Sequence, residues 1–261
     1  MLTIREIKKV ESLEEAWTLN QKKPNKIIGG MIWLKMETLN IGTAIDLTGL
    51  GLNTIEETEE EFRIGCMVTL RQFETHPGLD SYSQGAVREA VHHIVGLQLR
   101  NLATVGGSVF GRFGFSDVIS VLLAMDSYVE LYKGGIIPLR DFVNMKYDRD
   151  VLVRIIVKKE KASFYYQSVR ITKTDFPVLT CAAAKTEQGM RLVYGARPAK
   201  PMLLTGCEAL NQPITTESIE KIAAYAAEHV YTESNTRGSA EYRTHLVKGL
   251  TQRALKKLGG C

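Results

Sequence analysis

Two short stretches of this 261-residue sequence carry glycine pairs where a phosphate could be held. The first comprises Ile27, Ile28, Gly29, Gly30, Met31, Ile32, Trp33 and Leu34; the second comprises Thr104, Val105, Gly106, Gly107 and Ser108. In each, the pair follows an apolar run. Without Cβ atoms, successive amides can turn toward an anion, and a diphosphate can approach the main chain closely. A Gly-Gly after a strand is also an ordinary tight turn. Neither G-x-G-x-x-G nor G-x-x-x-x-G-K-[ST] occurs, since Gly49-Leu50-Gly51 runs on to Asn53-Thr54 and not to a helix-opening glycine. On spacing alone the two loops fit a phosphate clasp and a pair of plain turns.

The remaining reactive residues point away from protein-borne chemistry. His92 and His93 are neighbours on an expected helix, where adjacent side chains diverge by about 100°. With no carboxylate or cysteine read at ligand spacing, a structural or surface role and no metal are expected. Cys66, Cys181, Cys207 and Cys261 lie far apart and form no CxxC. A zinc site or an iron-sulfur cluster held by this chain alone is therefore not expected. Buried, reduced thiols are expected instead, with Cys261 exposed and oxidisable on its Gly-Gly tail.

The elements that must position these residues follow from periodicity. Ser12 and Glu15 form a capping box for a helix over 13–21, followed by a strand at 26–28, a helical turn at 33–36 and a strand at 43–47, together an α/β unit. Alternation at 54–58 and 61–65 predicts a hairpin, and Thr69 with Gln72 a second capping box. A helix is expected over 83–95, closed by a left-handed Gly96, then a glycine-rich loop at 104–114. Ser116 or Asp117 can cap an apolar helix at 118–125. Strands at 127–132, 151–157, 163–169, 178–186 and 190–195 and helices at 216–229 and 239–258 complete the reading. Lys173-Thr174-Asp175 reads as a charged turn.

The bulk properties suit an ordinary globular protein: 44% of residues are hydrophobic and 24% charged. The net charge of +4 is spread over 33 basic and 29 acidic residues without a phosphate-tracking stripe, which argues against nucleic acid. No leader-like or bilayer-length apolar run occurs, so no membrane association and a cytoplasmic location are expected.

The run Arg100-Asn101-Leu102-Ala103-Thr104-Val105-Gly106-Gly107-Ser108, with Ser116-Asp117 beyond it, resembles the second FAD loop of the molybdopterin-dehydrogenase FAD-binding family. That family includes the flavin subunits of xanthine and carbon monoxide dehydrogenases. The first loop is similar to its Ala-Gly-Gly loop, and Arg237-Gly238-Ser239-Ala240-Glu241-Tyr242-Arg243 resembles the opening of its C-terminal helix.

The resemblance implies an α+β chain: a PCMH-type FAD-binding fold at 1–160, with α/β subdomains at about 1–52 and 53–160, then a small α+β domain at 161–261. It implies FAD held by the amides of residues 27–34 and 104–108, with the Thr104 and Ser108 hydroxyls as further donors. Asp117 would hold sugar or ribityl hydroxyls, or only cap its helix. Gln167 stands where many relatives have a lysine near the flavin. No catalytic residue is expected, because the cofactor carries the chemistry. A large molybdopterin subunit, a small subunit with [2Fe-2S] clusters, and NAD+ or another acceptor are the implied partners.

The sequence departs from the family at Met31-Ile32-Trp33, at Ser108, where asparagine is common, and at Arg112-Phe113-Gly114-Phe115. Trp33 or Phe113 could pack on a flavin or adenine face. A non-catalytic assembly subunit with weak or absent FAD is the second reading.

Overall fold

The computed structural model describes residues 1–260. The first part of the chain holds β1 (Thr3–Lys9), α1 (Leu13–Asn20), β2 (Lys26–Ile28), β3 (Asn40–Asp46), β4 (Ile55–Glu57), β5 (Glu61–Gly65) and α2 (Leu70–Thr75). The middle holds α3 (Pro77–Tyr82), α4 (Ala86–Val91), α5 (Leu97–Arg100), α6 (Val105–Phe110), α7 (Asp117–Ala124), β6 (Asp126–Leu131), β7 (Gly135–Pro138) and α8 (Leu139–Phe142). Then come β8 (Leu152–Lys158), β9 (Ala162–Arg170), β10 (Pro177–Thr186), β11 (Gly189–Gly195), β12 (Met202–Leu203), α9 (Thr216–His229) and α10 (Ala240–Gly259).

These α+β elements form two compact units. Unit 1 comprises Met1–Phe73, Leu97–Gly111 and Ser127–Val157, and unit 2 comprises Glu74–Gly96, Arg112–Asp126 and the chain from Lys158 onward.

Unit 1 contains two sheets. The smaller has the order β1-β3-β2, all parallel, with Ile4 opposite Ile41 and Ile27 opposite Ile45. Ser12 caps α1, its hydroxyl accepting from the Glu15 amide at 3.1 Å, while the Glu15 carboxylate accepts from the Glu11 amide. The expected helical turn between β2 and β3 is a single 3-10 turn, Leu34–Met36. The larger sheet runs β4-β5-β8-β6-β7, and β4 and β5 form the expected hairpin. Its core includes Phe62, Ile64, Val129, Val153 and Ile155, all buried.

Unit 2 is built on the antiparallel sheet β12-β11-β10-β9. Leu179, Cys181 and Ala183 of β10 join Ile222 and Ala226 of α9 and Val247 and Leu250 of α10 in one apolar cluster. The intervening Thr180 instead meets Ser120 of α7, hydroxyl to hydroxyl at 3.1 Å. With side chains alternating across a strand, β10 is covered on both faces, so it reads as a continuous apolar run.

Arg243, from the segment that resembles the family's C-terminal opening, is fully buried yet satisfied. It donates to the carbonyls of Val178, Glu233 and Gly238 and to Asn235 Oδ1, tying the start of α10 to β10.

Three expectations are corrected. The helix expected over 83–95 is broken: Gln84 and Gly85 are left-handed (φ 53° and 84°), so Ser83 closes α3 and α4 begins only at Ala86. The left-handed residue that follows is Val95 (φ 49°), not Gly96. The loop expected at 104–114 contains α6, started by Thr104, whose hydroxyl accepts from the Gly107 amide at 3.0 Å.

Candidate functional site

The second glycine run is laid against residues 66–70 by backbone bonds. The amides of Val105, Gly106 and Leu70 donate to the carbonyls of Val68, Cys66 and Ala103 at 2.8, 3.0 and 2.8 Å. Gly106 is required there, because a Cβ would lie 2.4 Å from the Cys66 carbonyl oxygen.

The first glycine pair packs against this run. A Cβ on Gly30 would fall 1.9 Å from the Leu102 carbonyl oxygen, and one on Gly29 would fall 2.8 Å from Thr104 Oγ1. Met31, directly after the pair, is left-handed at φ 56°, a conformation that carries strain in a side-chain-bearing residue.

Beside this junction lies a cavity of about 310 Å³, lined by Lys26, Ile27, Ile28, Gly29, Thr104, Gly106 and Gly107 among others. Its volume lies at the lower end of the range for small-molecule sites. The structure thus brings together Ile27, Ile28, Gly29, Thr104, Gly106 and Gly107. Gly30, Met31, Ile32, Trp33, Leu34, Val105 and Ser108 adjoin these residues in sequence without lining the cavity.

The two loops differ in what their amides do. Those of Val105, Gly106, Gly107 and Ser108 all donate within the protein. Those of Gly30, Met31 and Ile32 donate to no described residue. The Ser108 hydroxyl donates to the Thr104 carbonyl at 3.0 Å. Thr104 Oγ1 accepts from Gly107, which leaves its own proton to donate.

One wall of the cavity escaped sequence reasoning: Asp148, Arg149 and Asp150. The Arg149 guanidinium donates to the carbonyls of Asn20, Lys22 and Asn25, and the Arg149 carbonyl accepts from the Asn20 and Gln21 side chains. These bonds fix the turn that feeds β2 and the first loop. The Asp150 carboxylate accepts amides from Lys133, Gly134 and Val151. Cys66 also lines the cavity, and burial pushes its thiol up from 9.0 to about 12. Cys66 and Cys181 are buried and Cys207 is half-buried; Cys261 lies outside the described residues.

Asp117 and Gln167 belong to unit 2 and do not line this cavity. Ser116 caps α7, accepting from the Ile119 amide at 3.2 Å, so Asp117 is not the cap. Asp117 is buried, and its Oδ1 receives the Tyr166 hydroxyl and an Arg170 N–H, each at 2.5 Å. Burial raises this carboxyl above the usual carboxylate range, and Arg170 and Tyr166 offset only part of the rise. The Gln167 amide donates to the Leu250 carbonyl at 2.6 Å, joining β9 to α10. Trp33 and Phe113 are partly exposed, and Phe113 stacks on Phe115 with ring centroids 5.1 Å apart.

The expectation that no carboxylate lies near the histidine pair is overturned. α4 ends at Val91, so His92 and His93 do not diverge as on a continuing helix, and their ring centroids lie 3.6 Å apart. Glu89 reaches both, 3.7 Å from His92 Nδ1 and 3.9 Å from His93 Nε2.

Comparison with known proteins places this arrangement. Residues 4–159 match the family described as FAD binding domain in molybdopterin dehydrogenase, and residues 163–258 match CO dehydrogenase flavoprotein C-terminal domain. The chain is 26% identical to the xanthine dehydrogenase FAD-binding subunit of Escherichia coli O157:H7, over 75% of this chain and 73% of the relative. It is 23% identical to the glyceraldehyde dehydrogenase medium chain of Sulfolobus acidocaldarius, over 96% of each. Its fold matches a chain of carbon monoxide dehydrogenase from Hydrogenophaga pseudoflava with a TM-score of 0.88 at 21% identity, over 98% of this chain and 97% of that one. Matched through both glycine loops and the strands that carry them, the chain belongs to the FAD-binding family of molybdopterin dehydrogenases, whose members are oxidoreductase flavoprotein subunits.

Proposed function

We propose that the cavity beside the two glycine pairs holds part of FAD and that the chain is the electron-transfer flavoprotein subunit of a molybdenum hydroxylase of the xanthine dehydrogenase type. The observation that carries this reading is the junction itself: two glycine pairs, far apart in sequence, meet so closely that a Cβ on Gly30 would fall 1.9 Å from the Leu102 carbonyl oxygen. Next to it, the amides of Gly30, Met31 and Ile32 have no described acceptor and suit a diphosphate.

The residues present fit the cofactor in kind. The first-loop amides would hold the diphosphate, with the Thr104 hydroxyl as an added donor and Lys26 as a nearby positive charge. Gly29, Gly106 and Gly107 would leave room for its approach. Asp117, whose contacts with Tyr166 and Arg170 both fall on Oδ1, would accept a cofactor hydroxyl through Oδ2. Bound here, FAD would supply a ring able to take electrons one at a time and hand on two. Arg149, by fixing the turn before β2, would keep the first loop in place.

In this reading a small subunit with [2Fe-2S] clusters delivers electrons drawn from a large molybdopterin subunit, and NAD+ or another acceptor removes them. The names of the relatives, one of them a medium chain, support that division. The second reading, an assembly subunit with weak or absent FAD, draws on the second loop, where all four amides from Val105 to Ser108 are already engaged.

The test is the visible spectrum of the purified chain before and after adding FAD, alone and with partner subunits, with the released cofactor identified. Flavin bands at close to one FAD per chain are expected. A colourless protein that takes up no FAD even with its partners would leave only the assembly role.

A further inference from the structure

Three ligand-type side chains that the flavin reading does not use stand together in unit 2. Glu89 lies in the last turn of α4, and His92 and His93 follow directly after that helix ends. One donor atom from each of the three lies within 4.8 Å of the other two. Donors sharing a zinc ion in tetrahedral geometry, with bonds near 2.1 Å, sit about 3.4 Å apart. In this cluster, Glu89 Oε1 and His93 Nε2 lie 3.9 Å apart, about half an ångström beyond that spacing.

The chemistry of the surroundings agrees with the spacing. His92 Nδ1 lies 3.1 Å from the Arg88 carbonyl; when that contact is an N–H donation, Nε2 is left as a lone pair for a metal, with the carbonyl orienting the ring. His93 Nδ1 is buried and has no hydrogen-bond partner. Arg170 and Lys173 also act on His93 and oppose a cation, but Arg170 is already paired to Asp117 at 2.5 Å.

We propose that Glu89, His92 and His93 form a three-ligand site for a borderline divalent transition-metal ion of the zinc type, which staples the end of α4 to the turn that follows. Two imidazoles and one carboxylate select such an ion over magnesium or calcium, which prefer all-oxygen shells. The half-exposed setting leaves the remaining position to water. The proposal is independent of FAD binding.

The test uses the full folded chain with its accessible thiols alkylated, stripped with a chelator, and titrated calorimetrically with Zn2+ and separately with Mg2+. One Zn2+ per chain is expected, with no measurable Mg2+ binding. The double variant His92→Ala/His93→Ala should lose this site, and Glu89→Gln should weaken it by about tenfold or more. Zn2+ should raise the thermal midpoint of the unsubstituted chain and leave that of the double variant unchanged. In the presence of chelator the two midpoints should coincide, which would show that the variant folds. Zn2+ binding of equal stoichiometry and affinity in the double variant, or none in the unsubstituted chain, would overturn the proposal.

Discussion

The two glycine pairs are alike in sequence and unlike in use. From Val105 to Ser108 each amide is spent inside the protein, and Gly106 is there so that the chain can lie on the Cys66 carbonyl. At Gly30, Met31 and Ile32 the amides are open, and Gly30 serves a close backbone approach as well. The second pair thus builds a surface and the first offers donors at it. A Gly-Gly motif by itself does not say which of these it does; the acceptors around it decide.

The sharpest probe of the second run is chemical. With the Cys66 thiol pushed up to about 12 from 9.0, its thiolate population at neutral pH falls about a thousandfold, so a thiol reagent should leave Cys66 untouched while the fold holds. Because the folded state raises this pKa, the associated stability is present below about pH 9 and is lost as pH rises toward about 12. Denaturation midpoints of the unsubstituted chain and Cys66→Ala across that window would measure it. Fast labelling at pH 8 would break the picture of a run sealed against Cys66.

Next in size are Gly30→Ala and Gly106→Ala. Each forces a Cβ onto a carbonyl oxygen, and overpacking of this kind costs about 1–3 kcal/mol. Urea midpoints should fall for both, but FAD retention at temperatures where both are folded should drop far more for Gly30→Ala. The reverse ranking would exchange the roles of the two loops.

Thr104→Val removes a helix cap worth about 1 kcal/mol together with the free hydroxyl proton, and Thr104→Ser should restore both. Parallel urea and FAD titrations would separate the two losses. The smallest effect is expected at Met31, where replacement by glycine relieves a left-handed strain on the order of 1 kcal/mol, offset in part by the greater freedom of glycine in the unfolded chain, while leaving the amide in place. Stability should rise slightly with FAD affinity unchanged; a large loss of affinity would mean that the Met31 side chain, not its amide, meets the cofactor.

What could be read in the sequence was whatever had a local cause. α9 begins and ends as expected because Thr215 and Ser218 cap each other and the apolar period runs unbroken to His229. β8 to β11 follow from alternation or from continuous burial. By contrast, β1 escaped notice because its charged residues leave it mostly exposed, and only its distant parallel partner β3 makes it a strand. The same limit applied at the cavity. The glycine loops announce themselves, but Arg149 acts on carbonyls more than a hundred residues away and leaves no periodic trace. The Glu89 cluster was missed because a helix assumed to continue would have splayed the two histidines, and it ends one residue before them.

The interleaving of the two units bears on how the chain is made. All eight residues of α7 are buried, and part of their cover is β10, which begins some fifty residues later. A chain growing from its N-terminus therefore carries Val118–Ala124 as a half-covered apolar helix, with α4 but not β10 to pack on it, until β10 has been synthesised. Any fragment ending near Lys158 leaves the β10-facing side of that helix bare for good, a ready target for chaperones and for self-association.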